Sequence, residues 1–215
     1  MKTQSTNLNG VMLLSPPKFE DERGNFRPLF AQRLHAEAGY AHAWAEMNLS
    51  ETKEGCIRGL HFQEPEPQAK LITVISGTIF DVAIDLRSGS NFGKWQSFEL
   101  SASQNNLPSQ IYLPPGFAHG LATPEGPATI AYLVSSPWNP QNEQVIAWDD
   151  PQLAIPWPLK NPQLSERDQK GIELQTLLAQ EKWLLKLSLL GIFLPKHLEK
   201  IWLKLTGSVH NLAEH

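Results

Sequence analysis

From Val11 to about Trp157 the chain is interrupted by Gly, Pro, Asn or Ser roughly every 8 to 12 residues, and the intervals are short runs rich in Ile, Val, Phe, Thr and Trp. Runs that short leave little room for long helices, and their β-branched and aromatic content suits a pleated, half-buried surface. The cadence therefore predicts an all-β sandwich or barrel. The clearest strands are Lys70 to Ile75 and Thr78 to Leu86, which the intervening Ser76-Gly77 suggests are joined as a hairpin. Trp95 to Leu100, Gln110 to Leu113 and Thr129 to Val134 supply others, and Arg33 to Gly39 is the one early segment with helical character.

With 41% apolar residues in 215, the chain can bury one substantial core. A formal charge of -4 argues against a nucleic-acid surface, which needs a basic excess, although a nucleotide-sized anion needs only a local pocket. The single Cys56 allows no internal disulfide, and no basic segment followed by an apolar run and cleavage site opens the chain, so a cytoplasmic location is expected. Helix formers begin at Leu164 and run through Lys182, with Ser165 as the candidate cap. Trp183 to Pro195 is apolar but interrupted by Lys186 and too short to span a membrane. Lys196 to Leu205 then places Lys196, Lys200 and Lys204 on one helical stripe. These features divide the chain into a β domain, 1–168, and a helical C-terminal extension, 169–215. The extension is expected to pack on the barrel or at an oligomer contact, with peripheral contact to a membrane or partner as the alternative.

The chemistry concentrates in Gly55-Cys56-Ile57-Arg58-Gly59-Leu60-His61-Phe62-Gln63. Arg58 and His61 are three apart, so regular alternation would send them to opposite faces, but a glycine between them can aim both at one cavity. A guanidinium beside an imidazole suits acid–base work on an anionic substrate. His61, and later His119 in Pro114-Pro115-Gly116-Phe117-Ala118-His119-Gly120, sit in spacings that resemble the two motifs of the cupin superfamily. Metal-bearing cupins have a second His where this chain has Gln63. Two imidazoles alone make a poor divalent site, so neither metal nor cofactor is expected.

With Gln68-Ala69-Lys70-Leu71, these segments closely resemble the dTDP-4-dehydrorhamnose 3,5-epimerase family, over roughly Pro16 to Asp168. The resemblance implies a cupin jelly-roll barrel and a cofactor-independent isomerase. Such an enzyme inverts C3, alone or with C5, of a nucleotide-linked 4-keto-6-deoxy hexose through an enolate. It implies His61 as base with Asp168 as its partner and Tyr132 as acid. On residue type alone, Asp168 would be an exposed helix residue and Tyr132 a core or rim side chain. Lys70, His119 and Arg58 match groups near the sugar carbonyl, and Asn48 a polar substrate contact. Arg23 and Phe26, in Asp21-Glu22-Arg23-Gly24-Asn25-Phe26, match a nucleotide-binding element that crosses from a neighbouring subunit, which implies a homodimer.

Four positions depart from the family pattern: Pro28 for a Glu, Glu46 for a nucleotide-holding Gln, Leu133 for a Lys, and Trp138 for a tyrosine lining the sugar pocket. A carboxylate beside a diphosphate is unfavourable unless it is turned away, and the missing phenol could restrict turnover to one carbon. The competing expectation is a catalytically impaired nucleotide-sugar binding protein with a membrane- or partner-binding tail.

Overall fold

The computed structural model describes residues 1–40, 42–104 and 106–179. Thirteen strands run in the order β1 (Lys2–Ser5), β2 (Met12–Ser15), β3 (Phe19–Asp21), β4 (Gly24–Phe26), β5 (Glu46–Thr52), β6 (Ile57–Gln63), β7 (Lys70–Ser76), β8 (Thr78–Asp85), β9 (Trp95–Ser101), β10 (Gln110–Leu113), β11 (Phe117–Ala122), β12 (Ala128–Val134) and β13 (Glu143–Val145), with helix α1 (Gln32–Glu37) between β4 and β5. A six-stranded sheet, β1-β2-β10-β7-β12-β5, faces a five-stranded sheet, β13-β6-β11-β8-β9, and β3 pairs with β4 as a separate two-stranded arm. All pairings between these strands are antiparallel.

Ile72, Val74, Ile79, Leu100, Ile111 and Ile130 are buried in the layer between the sheets. The outer faces are also partly covered. Tyr40, Ala69, Leu71 and Tyr112 form a second cluster over the six-stranded sheet, and Leu60, Val82, Ile84, Leu153, Leu174 and Leu177 a third over the five-stranded sheet. Strands covered on both faces read as continuous apolar runs rather than as alternation, which is why β7 and β8 stood out in the sequence.

Those two strands are not a hairpin. β7 lies between β10 and β12, while β8 lies between β11 and β9 in the opposite sheet. Only Gly77 separates them, too short a link for a two-residue turn, and it carries the chain from one sheet to the other with φ +81. A Cβ at this position would lie 2.5 Å from Pro127 O, so the crossing requires glycine both conformationally and sterically.

The helix expected from Leu164 to Lys182 is broken. Ser165 Oγ does accept a hydrogen bond from the Asp168 N–H (3.1 Å), but only a 3-10 turn, Asp168–Lys170, follows. Gly171 then packs against Ala147, where a Cβ would come within 2.7 Å of backbone, and Ile172 bridges Ile146 in parallel. Helix resumes at 174–179. Tertiary contact has overridden local helix propensity here. The expected helix from Lys196 to Leu205 and the apolar run before it lie outside the described residues. Among the described residues no helix is long and apolar enough to cross a membrane.

Gly77→Ala should destabilise the protein by about 2 kcal/mol or more, from left-handed backbone cost and the clash with Pro127 O. Urea denaturation measures it; a loss below about 0.5 kcal/mol would mean the crossing relaxes.

Candidate active site

The site depends on a defect in the pairing of β6 with β11. His61 faces His119 and Arg58 faces Leu121, so three steps along β6 oppose two along β11. The extra residue is a β-bulge, and it reverses the parity that would have put Arg58 and His61 on opposite faces. Gly59 makes it possible: its φ is +116, and a Cβ would meet Gly120 Cα at 2.6 Å. Both side chains consequently line one cleft of about 710 Å³, open mouth included.

The facing wall comes from the six-stranded sheet. Tyr132 on β12 is opposite Asn48 on β5, and Val134 is opposite Lys70 on β7, so the two-residue period brings Tyr132, Asn48 and Lys70 to the same side. The cleft thus gathers His61, Tyr132, Asn48, Arg58, Lys70, His119 and Trp138.

Two imidazole–carboxylate pairs stand at its base. His61 Nε2 is 2.6 Å from Asp168 Oδ1, with the carboxylate buried and the imidazole 28% exposed toward the cleft. Burial alone would raise the Asp168 pKa, but hydrogen bonds from His61, Ser165 and the Gly59 N–H, with the attraction of His61, hold it below the usual value. An anionic Asp168 assigns the hydrogen to Nε2 and leaves Nδ1 with a lone pair. The second pair, His119 Nε2 to Asp81 Oδ2 at 2.6 Å, is almost fully buried, and Asp81 Oδ1 has no hydrogen-bond partner. The His119 ring meets Tyr132 edge to face, with centroids 6.1 Å apart.

Lys70 is buried and its Nζ donates to His61 O at 3.3 Å. Burial lowers its pKa to about 8, against the pull of Glu143 and Asp81 in the other direction. Burial likewise raises Tyr132 to about 12, opposed by the Ser50 hydroxyl and the Arg58 charge, so the phenol is protonated at neutral pH. Arg58 is anchored by Nε to Thr52 Oγ1 (2.8 Å) and Nη2 to Glu51 O (3.2 Å).

Glu46 shares the face of Asn48 on β5 and its carboxylate bridges two residues of the cleft lining. Its Oε1 accepts from Asn48 Nδ2 (2.6 Å) and its Oε2 from Trp138 N (3.3 Å). Arg23 and Phe26 are not brought to this cleft. They lie on the β3–β4 arm, where Arg23 pairs with Asp21 at 2.6 Å and Phe26 stacks on Phe19 with centroids 6.4 Å apart. Every residue of both arm strands is exposed.

Sequence reasoning passed over Ser50, Asp81 and Glu143. Ser50 shares the face of Asn48 by simple alternation, and Asp81 interrupts an apolar strand, the usual mark of a carboxylate with a buried partner. Glu143 had no such signal, because β13 places it in the cleft and Arg167 pairs with it from far along the chain. Among the described residues no three His, Cys, Asp or Glu side chains converge as a metal would require.

The two-sheet barrel is a cupin jelly roll, and proteins that share it with this chain at 30% identity or more are epimerases, a class of isomerase. The family described as dTDP-4-dehydrorhamnose 3,5-epimerase matches residues 5–176, and the chain belongs to it. The Pseudomonas aeruginosa dTDP-4-dehydrorhamnose 3,5-epimerase is 40% identical over 174 residues, 80% of this chain and 94% of that protein. The structure of a Legionella pneumophila dTDP-6-deoxy-D-glucose-3,5-epimerase in complex with dTDP-4-keto-L-rhamnose superposes with TM-score 0.78 at 34% identity, covering 83% of this chain and 95% of that one. A 3'-monoepimerase from Streptomyces bikiniensis, in complex with dTDP-quinovose, gives TM-score 0.74 at 30% identity, covering 81% and 89%.

The Lys70 shift has a testable sign. The folded side chain releases its proton near pH 8 and the unfolded one near 10.5, so the burial penalty is present below 8 and is relieved between those values. Lys70→Met should therefore be more stable than the parent at pH 7 by on the order of 2–3 kcal/mol, with the gap closing toward pH 10.5. Urea midpoints across pH 7 to 10.5 would show it.

Proposed function

We propose that the protein inverts C3, alone or together with C5, of a dTDP-linked 4-keto-6-deoxy hexose. The reading is supported by the family, by relatives whose names specify such sugars, and above all by one observation: the base candidate and the acid candidate stand on opposing sheets and line the same cleft.

Hydrogens beside a ketone are acidic because the carbanion delocalises onto oxygen. His61 takes the proton through Nδ1, and Asp168 stabilises the resulting imidazolium through Nε2. Charge then develops on the C4 oxygen, where Lys70, still mostly protonated near neutral pH, and Arg58 supply cationic donors. A preorganised donor of this kind contributes on the order of 3 kcal/mol of transition-state stabilisation. Tyr132 returns a proton to the opposite face of the carbon, which inverts it. No step requires a cofactor.

The arm carrying Arg23 and Phe26 completes the nucleotide site of a second subunit in a homodimer. Phe19 and Phe26 are 60% and 67% exposed, and both would gain apolar contact against a partner.

Incubation with dTDP-4-keto-6-deoxyglucose in deuterated water should add one mass unit per exchanged carbon. His61→Asn should reduce exchange by two to four orders of magnitude, and Tyr132→Phe should retain exchange while losing inversion. Binding without any exchange would favour the non-catalytic sugar-nucleotide binder instead. Arg23→Ala should raise KM for the nucleotide sugar with little change in kcat. Mixing it with His61→Asn should restore the parent's low KM in a fraction of the sites if the arm serves the neighbouring cleft, and an unchanged KM would place the arm's role within one subunit.

A further inference from the structure

The segment joining β12 to β13 contributes Trp138 to the cleft lining, and side chains from other elements hold four successive residues of it by the backbone. Gln68 Nε2 donates to Ser136 O (2.8 Å), Gln63 Nε2 to Pro137 O (3.2 Å), Trp138 N donates to Glu46 Oε2 (3.3 Å), and Asn139 N to Gln63 Oε1 (3.0 Å). Gln63 thus grips the residues on both sides of Trp138. Its second donated bond, to Glu66 O at 3.0 Å, completes the use of one buried amide. The indole between these anchors is 50% exposed and lines the cleft, whereas Gln63 does not line it.

Three bonds of this kind demand an amide. A carboxylate has no donor for Pro137 O and Glu66 O, and an imidazole cannot present a donor and an acceptor at that separation to the same three groups. The position that carries a metal-binding histidine in other cupins has here become a peg for the wall.

We propose that Gln63 is a positioning residue that sets where Trp138 stands in the sugar-facing wall. Selection among sugars, and between carbons of one sugar, then depends on a side chain that never touches the substrate. Glu46 is the outer half of the same device, holding Trp138 N while binding Asn48. The inference rests on the epimerase reading above.

The test is a double-mutant cycle on the full chain, combining Gln63→Glu with Trp138→Ala and measuring kcat, KM and the C3 to C5 deuterium ratio with dTDP-4-keto-6-deoxyglucose. Gln63→Glu keeps the acceptor for Asn139 N but sets an oxygen against two carbonyls. It should lower kcat/KM about tenfold and shift the deuterium ratio when Trp138 is present, yet change kcat/KM less than twofold when Trp138 is already Ala. Equal losses in both backgrounds, or none in either, would overturn the proposal. Should Gln63→Glu fail to fold, Glu46→Met, which removes the acceptor for Trp138 N, takes its place in the cycle, with about a threefold loss expected only when Trp138 is present. If the parent shows no exchange, the epimerase reading is what has failed. Positioning is then judged from affinity for dTDP-glucose, which carries the hexose, across the same four proteins, where matching affinities count against it.

Discussion

The cleft exists in its present form because two backbones meet at Gly59 and Gly120 with no room for a side chain between them. That contact accommodates one surplus residue in β6, and the surplus turns Arg58 and His61 into neighbours on one wall. The remaining groups need only the ordinary period of a strand. Tyr132, Asn48 and Lys70 arrive by cross-strand register, and His119 by its place opposite His61. A regular β6 would leave the barrel intact and turn one of the two side chains out of the cavity.

Burial then sets the protonation states. The same removal from water that lowers Lys70 toward neutrality keeps the Tyr132 phenol protonated, while hydrogen bonds keep Asp168 ionised despite its burial. One wall presents an imidazole hydrogen-bonded to a carboxylate, and the other a protonated phenol with the buried Lys70 on the neighbouring strand. The buried Asp81 and the part-buried Glu143 carboxylates favour the protonated form of Lys70 against that loss of water.

Much of this was legible in the chain. β10 spans the residues anticipated, β7, β9 and β12 differ by one at an end, and the reasoning from Gly59 to a shared cavity holds. The failures occur where distant contacts outweigh local preference. Ser76-Gly77 looks the same whether the next strand turns back or crosses to the other sheet, because the choice is made by β10 and β12 occupying both sides of β7. The helical run after Leu164 breaks because Gly171 is pressed onto Ala147. Asp168 shows the limit most clearly: its local sequence suggests a solvated helix residue, and only the family resemblance singled out a side chain that the fold buries against His61, more than a hundred residues away.

The single-residue crossing at Gly77 carries a mechanical consequence. It ties Lys70's strand directly to the strand of Asp81, so one wall of the cavity is stitched to the other through a link with almost no slack. Sliding of one sheet past the other is thereby restrained at its root. Any change in the width of the cavity is then left to segments outside the two sheets, such as the strap bearing Trp138, while the groups on the opposing walls keep their spacing.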